Sequence, residues 1–306
     1  MGKERGSLLP FVNYIQKNGL QLDFPRADLK DFLIRNPHDY YQIMTFKIGM
    51  QIGMLKGSYE QALDQFNILQ QQFSFSSAEL QLESSIYNAY FVPEKHRVPK
   101  VEILGVHLPF MGLDPVSDDP HTRKNSLETI YHSIRAAADC GSTYVVFHAR
   151  TQRSGSMTSA WMPVLADLAE KSNELGMRFC LENADDLYDT TQIHNILHEL
   201  PGISLCLDIG HLYEHTFNPL TRYFPLFYDT RLTMALENLH DHIACIHIHN
   251  HDGFYAHRML KEGKIDFAPV NKLRSMEIPL ILESDYRDVS LSTISQDIRY
   301  LKELIV

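Results

Sequence analysis

Seven side chains able to bind a metal fall at the ends of short apolar runs in this sequence. They are His107 in Val-His-Leu-Pro-Phe, His148 in Val-Val-Phe-His-Ala-Arg, Glu182 in Cys-Leu-Glu-Asn, Asp208 and His211 in Leu-Asp-Ile-Gly-His, His247 in Ile-His-Ile-His-Asn, and Glu283 in Ile-Leu-Glu-Ser. Imidazole nitrogens mixed with carboxylate oxygens suit Zn2+, Mn2+ or Co2+, and a carboxylate-rich set also admits Mg2+. One such residue at a strand end is commonly just a hydrogen-bonded core or surface group. Together they are different, because Asp and Glu gathered at an apolar mouth repel one another and lose hydration unless a cation offsets their charge. The set predicts a bound divalent metal.

Two further patterns bear on this set. The chain has 16 histidines, and His240, His242, His247, His249, His251 and His257 crowd into one short segment. Cys180, Cys206 and Cys245 each stand two residues before Glu182, Asp208 and His247. Strand alternation points residues i and i+2 to the same face, so the three thiols form the layer beneath the ligands. Buried cysteine packs as a small hydrophobe, and core packing is the expectation for them. His194 and His198 are spaced i and i+4, but His-Asn-Ile-Leu-His lacks the Glu of a zinc-protease motif, so they read as helix-surface residues.

The elements that must position these side chains alternate along the chain from about residue 46. Candidate strands are Phe46–Ile52, Ala78–Glu83, Val101–Leu108, Thr143–His148, Met177–Glu182, Ile203–Asp208, Ile243–His249 and Leu280–Glu283. Between them run helical patterns: Leu127, Ile130, Tyr131, Ile134 and Ala138 before Gly141; Trp161, Val164, Leu165, Leu168 and Ala169 before Gly176; Ile193, Ile196, Leu197 and Leu200 before Pro201. Ile294, Ile298, Leu301 and Ile305 close the chain in the same way. Eight strands with intervening helices, and no GxGxxG after the first, predict an α/β fold in which a closed (β/α)8 TIM barrel spans residues 46–306. Such barrels carry their chemistry at the C-terminal strand ends, where the seven ligand candidates stand. Residues 1–45 read as an N-terminal extension, with a short helix near Asp28 presenting Leu29, Phe32 and Leu33.

Composition bounds the function. The 306 residues are 44% hydrophobic and 22% charged, as in an ordinary globular protein. A chain this long needs no structural metal for stability, so a metal is expected to be functional. With 28 Lys+Arg against 38 Asp+Glu, the net charge of −10 weighs against nucleic acid or an anionic membrane as partner. No stretch approaches the roughly 20 apolar residues of a membrane span, the N-terminus lacks a signal-like apolar run, and there is no CxxC. A cytoplasmic location is expected.

From about residue 46 onward the order of motifs resembles the xylose-isomerase-like barrel superfamily, which includes sugar and sugar-phosphate isomerases and epimerases and the endonuclease IV type of AP endonuclease. The resemblance runs through Lys-Ile-Gly-Met-Gln-Ile-Gly (47–53), Ala-Glu-Leu-Gln-Leu-Glu (78–83), the motifs already quoted, and Glu-Gly-Lys-Ile-Asp-Phe (262–267). It implies that Glu182, Asp208, His247 and Glu283 are the four ligands of a metal shared by both branches. It implies that His107 and His148, with Glu182 bridging, match a second metal site of the endonuclease branch. His211 and His257 match two ligands of a third, whose remaining aspartate falls at Tyr255 here, with Asp252 as a substitute from a shortened loop.

The resemblance leaves two chemistries in view. The leading one is isomerisation or epimerisation of a sugar or sugar-phosphate-like hydroxy-carbonyl compound. In it Glu182 and Glu283 exchange a proton with the carbon beside the carbonyl, and His211 contacts a substrate oxygen. The alternative is phosphoester hydrolysis by a multi-metal cluster; a catalytically silent barrel is the third. The expected partner is a small carbohydrate-like molecule, and a homo-oligomer is compatible with the sequence. Lesser candidates are an anion-holding loop with Arg150, Arg153, Ser154 and Ser156, a second with Arg258, Lys261, Gly263 and Lys264, and an aromatic stretch at Phe217, Tyr223, Phe224, Phe227 and Tyr228.

Overall fold

The computed structural model describes residues 47–82, 97–149, 160–184, 190–214, 226–273 and 277–305. The N-terminal extension, the loop with Arg150, Arg153, Ser154 and Ser156, and the side chains of the aromatic stretch lie outside the described residues. The described residues form eight strands: β1 (Lys47–Met50), β2 (Ser77–Gln81), β3 (Ile103–His107), β4 (Tyr144–Phe147), β5 (Arg178–Glu182), β6 (Ile203–Asp208), β7 (Ile243–Ile248) and β8 (Pro279–Leu282). All neighbours pair in parallel, in the order β1-β8-β7-β6-β5-β4-β3-β2.

The two ends of that order meet. Gln51 bridges Glu79 in parallel, and Ser76 N donates to Ile48 O at 3.2 Å. The approach is so close that a Cβ on Gly49 would stand 2.4 Å from the Ser77 carbonyl oxygen, which only glycine avoids. The sheet is a nearly closed (β/α)8 TIM barrel.

The α-helices among the described residues are α1 (Tyr59–Phe73), α2 (Pro120–Asp139), α3 (Trp161–Glu174), α4 (Thr190–Glu199), α5 (Ile209–Glu214), α6 (Leu226–Leu239) and α7 (Leu291–Leu304). Their starts are local chemistry. Ser58 and Gln61 form a reciprocal capping box on α1, Asp119 caps α2 with Pro120 behind it, and Ser290 caps α7. None of the described helices is long and apolar enough to cross a membrane.

Apolar side chains separate into two cores. The larger lies between sheet and helices and includes Phe66, Ile134, Trp161, Leu165, Ile196, Leu236, Ile298 and Leu301. The smaller joins Tyr144, Val146, Cys180, Cys206, Ala244 and Cys245. All four cysteines are buried free thiols, and three of them form the layer that strand alternation predicted. His194 and His198 are exposed on α4, again as expected. Regular strands end one residue earlier than the sequence patterns at β4, β7 and β8, which leaves His148, His249 and Glu283 just beyond the ladder, where side chains turn into the mouth.

Candidate metal centre

The strand ends deliver the predicted residues to one place. Ligand atoms of Glu182, Asp208, His247 and Glu283 converge within 4.8 Å of one another, and all four residues are buried. His247 Nδ1 lies 3.0 Å from Glu283 Oε2, 3.6 Å from Glu182 Oε2 and 3.9 Å from Asp208 Oδ2. Asp208 Oδ2, His247 Nδ1 and Glu283 Oε2 are buried without a hydrogen-bond partner. Orphaned buried acceptors are costly, and acceptors aimed at a common point are what a cation satisfies. The donor set fits a divalent ion with mixed nitrogen and oxygen ligands.

Electrostatics agree. Burial alone would raise these carboxyls, yet the His148 and His247 imidazoles hold Glu182 well below its ordinary value, and His247 does the same for Glu283. His211 and His249 lower Asp208 against the same burial. Burial opposes a charge on His247, but Cys206, Glu79, Glu283 and Glu182 raise it well above the usual imidazole range. A proton on His247 answers here the same demand for positive charge that a metal would meet.

A second group adjoins the first through Glu182. His107 Nε2 and His148 Nε2 stand 3.1 Å apart, and they lie 3.3 and 2.8 Å from Glu182 Oε2. His107 Nδ1 donates to the Leu108 carbonyl at 3.0 Å, which turns Nε2 inward. Phe110 stacks on His148 with ring centroids 4.0 Å apart and walls this side of the site.

The third group is His211, His249 and His257. Neither of the sequence candidates for its remaining member takes part. Tyr255 is 65% exposed, with the Arg258 guanidinium 5.1 Å over its ring. Asp252 caps its own turn: the Tyr255 and Phe254 amides and Arg258 Nε donate to it, and together they hold its carboxyl at about 2. His249 stands there instead, because β7 carries it past the ladder beside His247. Its ring lies 4.1 Å from that of His257, and its Nε2 lies 3.2 Å from Asp208 Oδ1. Burial works against charging His249, but Asp208 pushes it up to about 9. Burial and the neighbouring His249 push His257 down to about 4, so it is neutral at physiological pH. His257 also adopts a left-handed backbone (φ 56°), which is uncommon for a non-glycine residue.

Arg258 and Lys261 are engaged elsewhere, with Asp252 and with the Tyr300 ring 4.8 Å away. A cavity of about 480 Å3, lined by Thr143, Tyr144, Met177, Arg178 and Pro279 among others, opens at the N-terminal strand ends, away from the ligands.

Reading by strand ends missed three buried residues: Gln51, Glu79 and Tyr144. Glu79 Oε2 is 3.0 Å from His247 Nε2 and 3.1 Å from the Tyr144 hydroxyl, which donates to it. Gln51 Nε2 donates to Glu79 Oε1 and to Glu283 Oε1, each at 2.9 Å. A signal was present: Ala78, Leu80 and Leu82 alternate toward the helices, so Glu79 must face the barrel interior.

Comparison with known proteins agrees with this architecture. The chain is 24% identical over 258 residues to the uncharacterized protein MJ1311 of Methanocaldococcus jannaschii, a match that covers 76% of this chain and 82% of that protein. Its fold superposes on a D-tagatose 3-epimerase-like protein with a TM-score of 0.62 at 18% identity, covering 85% of this chain and 97% of the other. An L-ribulose 3-epimerase gives 0.60 at 18% identity, with 83% and 86% covered. The model of the xylose isomerase-like TIM barrel family matches residues 94–304, and this chain belongs to that family.

Proposed function

We propose that this protein is a divalent-metal-dependent isomerase or epimerase acting on a sugar or sugar-phosphate-like hydroxy-carbonyl compound. The observation that carries the reading is the placing of two ionised carboxylates, Glu182 and Glu283, on the same imidazole nitrogen, His247 Nδ1, at 3.6 and 3.0 Å. A bound divalent cation (Zn2+, Mn2+, Co2+ or Mg2+) supplies Lewis-acid polarisation of a carbonyl beside a hydroxyl-bearing carbon. Glu182 and Glu283 lie below their ordinary range, so at neutral pH both are proton acceptors able to exchange a proton with that carbon. His211, 8% exposed and anchored by its backbone amide on Asp208 Oδ1 at 2.6 Å, faces the mouth and contacts a substrate oxygen. Asp208 and His247, with Glu182 and Glu283, hold the ion. The epimerases that share this fold support the substrate class.

One observation favours the second reading, phosphoester hydrolysis: the His107, His148 and Glu182 group is fully assembled and could take another ion. A net charge of −10 speaks for a small substrate over a nucleic acid.

The test combines metal analysis of protein purified without added metal, Glu283→Gln, and two assays. We expect at least one divalent ion per chain, loss of binding or activity in the variant, and solvent-proton exchange into a panel of ketoses. Cleavage of an abasic-site duplex without exchange would establish the hydrolase. Protein that stays metal-free when offered Zn2+ and Mn2+ would overturn the metal reading, and metal binding with silence in both assays would leave a catalytically silent barrel.

A further inference from the structure

Glu79 is fully buried in the barrel interior, where a carboxylate persists only if its charge and lone pairs are answered. Three donors answer them: Gln51 Nε2 on Oε1, and the Tyr144 hydroxyl and His247 Nε2 on Oε2. The fold makes room for this arrangement. Glu79, Gly105 and Tyr144 are neighbours in one row across β2, β3 and β4. The Tyr144 ring lies over Gly105, where a Cβ would meet it at 2.1 Å, and so its hydroxyl reaches Glu79.

The consequence falls on the metal ligands. A carboxylate at Nε2 requires that nitrogen to carry a proton, so when His247 gives up a proton to bind a metal, the one lost is on Nδ1, the nitrogen that faces Glu182, Asp208 and Glu283. The Gln51 amide extends the same control to Glu283: with Oε1 held at 2.9 Å, Oε2 is left for the site. Carboxylate partners of this kind set the tautomer and orientation of metal-bound histidines.

We infer that Glu79, tied through Gln51 to Glu283, is a positioning residue that fixes His247 with Nδ1 directed at the metal. This rests on the metal reading above, and the test separates the two. Zn2+ affinity of wild type, Glu79→Gln and Glu79→Ala is measured by competition with a chromophoric chelator, alongside the melting temperature of each metal-free protein. Glu79→Ala should bind Zn2+ about 10–100-fold more weakly. Glu79→Gln, whose amide oxygen still accepts Nε2–H but carries no charge, should fall between it and wild type. In the zinc-loaded wild type, a slowly exchanging imidazole N–H of His247 should be visible by NMR, and it should be lost in Glu79→Ala. A merely structural role would lower the metal-free melting temperature and leave both the affinity of the folded protein and that resonance unchanged. Affinities of both variants within twofold of wild type overturn the inference; a wild type that binds no Zn2+ overturns the metal reading instead.

Discussion

The imidazole of His249 lies so close to Gly210 that a Cβ on that glycine would stand 1.9 Å from His249 Cε1. Gly210 belongs to Asp-Ile-Gly-His, between Asp208 and His211, so its lack of a side chain lets β7 and the start of α5 share one volume at the mouth. Gly210→Ala should push the ring off Asp208, cost about 1–3 kcal/mol of stability through overpacking, and weaken metal binding. Chemical denaturation and a metal titration on the same sample check both effects; an unchanged affinity would show that His249 does not support Asp208.

The second group of ligands can be separated from the first. His148→Ala removes a nitrogen 2.8 Å from Glu182 in the group with His107, whereas Asp208, His247 and Glu283 converge with Glu182 in the other. The tightest divalent ion should be retained and ketose proton exchange should persist. Glu283→Gln should cost more than the roughly 10–100-fold typical of losing a supporting hydrogen bond. Equal loss of the tightest ion in both variants would mean that the two groups hold it jointly.

Metal uptake should release a proton. In the metal-free protein, burial opposes a charge on His247, but Cys206 and the surrounding carboxylates raise it well above 6.5, so it is protonated at neutral pH. A metal takes only the neutral imidazole. Glu182, Asp208 and Glu283 are lowered and stay ionised, so they add no pH dependence near neutrality. Affinity should therefore rise with pH through the neutral range. Titration calorimetry in buffers of different ionisation enthalpy should report about one proton released per ion; none released would place His247 in its neutral form beforehand.

Asp297 provides a stability test away from the site. It accepts from the Tyr286 hydroxyl at 2.7 Å and from the Leu260 amide at 2.9 Å, but burial outweighs these bonds and raises it to about 6. The folded protein thus holds this proton more tightly than the unfolded chain. That stabilisation is complete below about pH 4 and is lost as pH rises through about 6. Between pH 5 and 7.5, Asp297→Asn should gain about 1 kcal/mol relative to wild type, read as the difference between urea denaturation curves. A constant difference would mean that Asp297 is already ionised in the folded state at pH 5.

Much of this was legible in one dimension because barrel chemistry follows strand ends. The runs that end at or near His148, Glu182, Asp208, His247 and Glu283 place these polar residues at one mouth, so the seven candidates could be named from their runs, and the resemblance to the barrel family singled out Glu182, Asp208, His247 and Glu283 among them. The three cysteines were placed by the same period-two logic. Glu79 was passed over because it sits mid-strand, where the apolar neighbours that reveal its direction also make it look like part of a hydrophobic run.

Local patterning therefore determined the element types, their order and the set of candidate ligands, since periodicity and capping act between residues a few positions apart. Tertiary structure decided which residues meet across the barrel. The bond between Glu79 and His247, the Gln51 amide linking Glu79 to Glu283, and His249 standing where Tyr255 or Asp252 was expected join residues from strands far apart in the chain. Such contacts depend on strand register and on the space left at Gly105 and Gly210, which exist only once the sheet has closed.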